Sequence, residues 1–289
     1  MTRGMSSNSK TPAPSGDLST FQRERFASDG FAHDVYRKGQ GPAVIVIPEM
    51  PGISPQVLGF ADRVVALGCS AVLPDLFGTA GRDPLAGSTL SKGLYFGRSV
   101  LGACVSREFS AFALGRSSAA VLWLRSLAAR EHARCGGPGV GVEGMCFTGG
   151  FALAMAVDPL VLAPVMSQPS LPFGISAAHR GNIDCSADDL QRVAARCSRE
   201  GLRVLGLRFK QDPAVPGERF RFLKERLGEG FVAVELPQDS GHPAGPLPKH
   251  HSVLTADLID EPGQPTRAAL DQVLALFREK LLLVGAATG

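Results

Sequence analysis

A cysteine presented at a sharp bend between a strand and a helix can act as a nucleophile, and residues 140–150, VGVEGMCFTGG, put Cys146 in that setting. Such a bend needs small neighbours so that the backbones on either side clear the strained residue; here Gly144 precedes the cysteine, and Thr148, Gly149 and Gly150 follow it closely. The following stretch, FALAMAV, reads as a helix whose unpaired N–H groups would point at the sulfur and favour a thiolate or a nearby oxyanion. A cysteine among apolar residues is commonly just a small buried hydrophobe. The strand on one side and the Gly-Gly helix entrance on the other favour the nucleophile. Gly139, Gly141 and Gly144 also spell G-x-G-x-x-G, but a dinucleotide-binding turn should follow a strand, and these glycines lie within one.

A thiol nucleophile needs a base within hydrogen-bond reach and a carboxylate that orients that base. Asp212, in Lys-Gln-Asp-Pro after the apolar run LRVLGLRF, suits the carboxylate, although an aspartate before proline is often only a turn former. The loop between FVAVELP and the last helix holds three candidates for the base, His242, His250 and His251. His251, nearer the last helix, is favoured, with His242 as the alternative. His33, His132 and His179 fall outside this arrangement and read as surface residues. Glu49, in Pro-Glu-Met-Pro-Gly, follows the apolar run AVIVIP, at the strand end where open α/β sheets place their ligands.

The intervening elements alternate. Residues 31–39, FAHDVYRKG, read as an edge strand, and AVIVIP as a central one. Ser54 and Pro55 open a helix with its apolar stripe at Val57, Phe60, Val64 and Leu67, closed by Gly68. The next strand, SAVLPDLFG, makes a parallel crossover with AVIVIP. From Thr79 to Arg107 the pattern weakens into what reads as a lid or rim, with Arg82, Arg98 and Arg107 and a Tyr95-Phe96 pair. A long helix through Val121, Leu124 and Ala128 carries the only tryptophan, Trp123, read as packing. LVLAPVMSQP, LRVLGLRF and FVAVELP are further strands. Helices are expected from Ala187 behind the cap Ser186, around Phe220, Leu223 and Leu227, and through Leu270, Val273, Leu274, Phe277 and Leu281. The expected fold class is α/β, a doubly wound, mostly parallel sheet, with residues 21–289 as one domain. Residues 1–20, poor in large apolar side chains, are expected to form a loose tail.

Composition narrows the function classes. At 289 residues and 44% hydrophobic, the chain can bury one large core. A net charge of +3, with basic and acidic residues interspersed, lacks the continuous basic face of a nucleic-acid binder. Six scattered cysteines show neither C-x-x-C nor zinc spacing, so neither disulfides nor a metal site is implied. Without an apolar leader or a membrane-length run, the expectation is a cytoplasmic protein with no membrane partner. Oligomeric state has no signature in the sequence.

Taken together, Cys146 in its bend, Glu49, Asp212 and the late histidine resemble the dienelactone hydrolase family, cysteine-nucleophile members of the α/β-hydrolase fold, from about Phe31 to Leu283. The resemblance implies Cys146 as nucleophile, Asp212 as triad acid, His251 as base and Glu49 as a controller of the thiol's protonation. It also implies that the backbone N–H groups of Met50 and Phe147 form the oxyanion hole, and that the substrate is a small ester or lactone, with no cofactor or metal. Alternatives are a catalytically silent scaffold that binds a ligand or senses redox state through its thiol, and a broader carboxylesterase. Three departures stand out: Thr148 replaces a usual glycine and is expected to crowd the turn, the histidine loop is long, and no motif identifies a substrate-binding arginine.

Overall fold

The apolar runs of the sequence become the inner strands of a single sheet. In the computed structural model, which describes residues 16–84, 86–109, 111–242 and 250–283, the strands are β1 (Gln22–Ser28), β2 (Phe31–Lys38), β3 (Ala43–Ile47), β4 (Ser70–Pro74), β5 (Val140–Met145), β6 (Val161–Ser167), β7 (Val204–Phe209) and β8 (Phe231–Leu236). Their spatial order is β1-β2-β4-β3-β5-β6-β7-β8. β1 and β2 run antiparallel at one side, and every pairing from β4 to β8 is parallel. Strands β3, β4, β5 and β7 are buried along their whole length, as expected where helices cover both faces.

The helices are α1 (Pro55–Ala66), α2 (Thr89–Val105), α3 (Ala120–Cys135), α4 (Gly149–Met155), α5 (Ala177–Arg180), α6 (Ala187–Glu200), α7 (Gly217–Leu227) and α8 (Pro265–Phe277). One core layer joins the sheet to α3, α4, α6 and α7 through Trp123, Leu127, Phe151, Val193 and Leu223. The other joins it to α1 and α8 through Phe60, Val64, Val273 and Phe277. Each such fully buried side chain contributes roughly 1.5–3 kcal/mol. Ser54 caps α1 as its sequence predicts, accepting from the Val57 N–H at 3.2 Å. No helix among the described residues is long and apolar enough to cross a membrane.

Four details differ from expectation. β2 is not the edge strand, because β1 covers it; QRERFAS carries one large apolar residue, and Arg23 and Arg25 instead pair across the strands with Asp34. Of the expected tail, residues 1–15 lie outside the described residues, while Gly16 donates to Pro55 O at 2.8 Å and Asp17 caps a short turn over Leu18–Thr20. Third, the weakly patterned stretch contains α2, capped by Ser88. His33, His132 and His179 are half-buried rather than surface residues: His33 pairs with Glu108 at 2.8 Å and meets the ring of Trp123, which is fully buried and packs as expected.

Candidate active site

β5 runs straight into the bend. Its last residue, Met145, is followed by a one-turn 3-10 segment, Cys146–Thr148, and then by α4. Cys146 sits at φ 55°, a left-handed conformation that is strained for a side chain other than glycine and is typical of functional positions. Gly144 makes the bend possible, since a Cβ there would lie 2.4 Å from the Thr148 carbonyl oxygen. Cys146 is partly exposed and its sulfur lies 3.5 Å from the Ser170 hydroxyl, while the Ser170 N–H donates to the Cys146 carbonyl at 2.9 Å.

Thr148 does not crowd the turn. Its buried hydroxyl accepts from the Met145 N–H at 3.0 Å, and its proton faces the carbonyls of Met145 at 3.0 Å, Ile47 at 3.1 Å and Pro48 at 3.3 Å. The end of β3 and the end of β5 are thereby tied together underneath the bend.

His251 and Asp212 come together from separate loops, with Nδ1 of the histidine 2.6 Å from Oδ2 of the aspartate and both side chains buried. The other carboxylate oxygen accepts from the Ala214 N–H at 2.9 Å, which fixes its plane. Burial alone would lower the His251 pKa. The charge of Cys146 and the hydrogen bond to Asp212 outweigh it, and the imidazole is held well above its ordinary value. His242 has a different place: its N–H donates to the Asp257 carbonyl at 2.9 Å. Residues 243–249 of the long histidine loop lie outside the described residues.

The histidine is carried by a segment that two buried carboxylates hold. Asp257 accepts from the backbone N–H groups of His251 at 2.8 Å and Ser252 at 2.9 Å, and its other oxygen meets His250 Nδ1 at 2.7 Å. Glu49 accepts from Ser252 Oγ at 2.8 Å, from Gln168 Nε2 at 3.2 Å and from the Thr255 hydroxyl. Burial raises the Glu49 pKa despite these donors. Beneath it, Glu143 on β5 is fully buried with neither carboxyl oxygen hydrogen-bonded; burial, and secondarily the charge of Glu49, push its pKa well up. Nothing in the sequence pattern singles out Ser170, Gln168, Asp257 or Glu143 as part of this centre.

A cavity of about 790 Å³ lies between α2 and the segments flanking it, with Arg82, Arg98, Phe77, Leu94 and Phe109 among its lining residues; Cys146, Asp212 and His251 are not part of that lining. Phe77 and Phe109 both pack on the ring of Phe147, the residue after the cysteine. Gly78, at φ 80°, lets the loop after β4 lie against the Pro51 carbonyl, so this rim abuts the Met50 turn. Arg107, the third arginine of the stretch, is exposed and is not part of this lining.

The sequence model of the dienelactone hydrolase family matches residues 30–181. The chain belongs to this family. Solved structures agree with the dienelactone hydrolase assignment at the level of fold. A dienelactone hydrolase-like promiscuous phosphotriesterase from metagenomic libraries is similar at 18% identity and a TM-score of 0.57, over 91% of this chain and 98% of that one. A cold-adapted esterase from an Arctic intertidal metagenomic library is similar at 15% identity and a TM-score of 0.55, over 92% and 97%. A 2,6-dihydroxy-pseudo-oxynicotine hydrolase is similar at 16% identity and a TM-score of 0.56, over 92% and 70%. Among curated proteins none matches the chain significantly. The eight-stranded sheet, with helices on both faces, is the α/β-hydrolase fold.

Proposed function

We propose that this member of the dienelactone hydrolase family cleaves small carboxylic esters or lactones through Cys146, His251 and Asp212. One observation carries the reading: an imidazole oriented by a buried aspartate at 2.6 Å, in the electrostatic field of a sulfur set on a positive-φ bend. With Nδ1 committed to Asp212, Nε2 is the nitrogen left to exchange protons at the reaction centre.

In this mechanism the Cys146 thiolate attacks the acyl carbon, and the carbonyl electrons move onto oxygen. The N–H groups of Met50 and Phe147 hold that oxyanion as the β3 and β5 loops bring them to the bend. The His251 imidazolium gives its proton to the leaving alkoxide, then as neutral base takes one from the water that releases the acyl group from sulfur. Asp212 stabilises the imidazolium without becoming protonated. No step requires a metal or an organic cofactor. Glu49 enters as a carboxylate that fixes the histidine segment through the Ser252 and Thr255 hydroxyls.

A panel of p-nitrophenyl esters and small lactones tests the proposal. Hydrolysis by the wild type and none above background by Cys146→Ala is the expected result. Near wild-type turnover by that variant would exclude Cys146 as nucleophile. Iodoacetamide labelling of Cys146 without hydrolysis of any panel member would favour a thiol-bearing binding scaffold instead.

A further inference from the structure

Arg219, on α7, is fully buried, yet among the described residues no carboxylate lies within ion-pair distance of it. Its guanidinium donates only to carbonyls: Asn182 O at 2.6 Å, Pro169 O at 2.7 Å, Pro172 O at 2.6 Å and His179 O at 3.1 Å. Burial lowers its pKa to about 10 even with the charges of Asp212 and Asp184 nearby. A buried cation without a counter-ion is costly, and the four carbonyl acceptors offset that cost. What the charge secures is the path of residues 169–182. Two of its four acceptors, Pro169 and Pro172, bracket Ser170.

Ser170 is where that path meets the chemistry. Its side chain is buried, its N–H is fixed to the Cys146 carbonyl at 2.9 Å, and its hydroxyl lies 3.5 Å from the Cys146 sulfur. A thiolate offers only lone pairs, so in the ionised site the hydroxyl is the donor.

We propose that Ser170 is a further catalytic residue, donating a hydrogen bond to the Cys146 thiolate, and that Arg219 is the positioning residue that holds it there. The inference rests on Cys146 as the reactive group, but not on ester hydrolysis as its task. By donating to the negative sulfur, the hydroxyl stabilises the thiolate; once the sulfur is acylated and loses its charge, that hydrogen bond weakens.

The test is the pH profile of Cys146 alkylation by iodoacetamide in the full chain, followed by mass spectrometry of the peptide that carries it. Ser170→Ala is expected to move the profile up by about one pH unit, to lower kcat for p-nitrophenyl acetate about tenfold and to leave KM within about twofold. Arg219→Lys, which keeps the charge but loses the fork that reaches several carbonyls, is expected to shift the profile in the same direction by a smaller amount. It provides a second reading if Ser170→Ala does not fold. An unchanged profile in Ser170→Ala overturns the assignment of Ser170, and an unchanged profile in folded Arg219→Lys overturns the positioning role. If wild-type protein hydrolyses nothing while Ser170→Ala still shifts the profile, the inference stands and the hydrolase reading falls.

Discussion

The floor of the site and its rim are built on opposite terms. Beneath Cys146, nearly every polar group has an assigned partner: Asp212 holds His251, Asp257 and Glu49 hold the segment behind it, and Thr148 ties β3 to β5. To one side, α2 borders the cavity with Leu90 and Leu94, which stand exposed at 73% and 58%, and Leu101 is exposed at 65%. These three recur at i, i+4 and i+11, one stripe of the helix that stays uncovered among the described residues. Well-satisfied buried networks fix a geometry, whereas sparsely packed elements open at low free-energy cost. The contrast predicts a division of labour, in which changes to the floor alter turnover and changes to the rim alter substrate affinity.

The largest test of that division is Asp212→Asn. It preserves shape but removes the charge that orients His251, and kcat should fall about 10³-fold with KM changed only a few-fold, as measured by steady-state kinetics. A large rise in KM with kcat preserved would break the comparison. Cys146→Ala sharpens it from the other side. Burial opposes the protonated imidazole and the sulfur's charge is the leading influence that raises its pKa, so the His251 titration midpoint, followed by NMR, should fall in that variant. No movement would separate the sulfur from the imidazole electrostatically.

Glu143 is the exception in the floor. Its carboxyl pKa is raised in the folded chain, so between its ordinary value and the folded one the native state binds a proton that the unfolded state does not. That group therefore makes folding less favourable as pH rises, by about 1.4 kcal/mol per pH unit over that window. Glu143→Gln should raise Tm at pH 7.5 relative to wild type, with the gain disappearing as pH approaches 4; calorimetry at both values checks this. A gain independent of pH would show that ionisation is not the cause.

The smallest effect belongs to the rim. Arg98→Ala should raise KM about five-fold for esters bearing a carboxylate, with neutral esters and kcat within about twofold. Equal effects on charged and neutral esters would remove Arg98 from substrate recognition.

The sequence made the groups proposed to react visible and hid their supports. Cys146 lies within an unbroken local motif, and Asp212 and His251 follow strands whose apolar runs are easily read, so their loops could be ordered along the chain. Ser170, Asp257 and Arg219 act through contacts between residues far apart in sequence, such as Arg219 with Pro169, and no periodicity records those. β1 escaped notice because its pairing rests on Arg23, Arg25 and Asp34 rather than on apolar alternation. α2 escaped because Gly93, Gly97 and Gly102, poor helix formers, interrupt its leucine stripe.

The Thr148 hydroxyl gives the hydrolytic centre a fixed gauge. By bridging the Met145 N–H to the carbonyls that lead into the Met50 turn, a single side chain sets how far the sulfur stands from the amide across the cleft. In the proposed mechanism an acyl carbon then meets an opening of set width, and variation in the rest of the substrate falls to the outer wall beside α2.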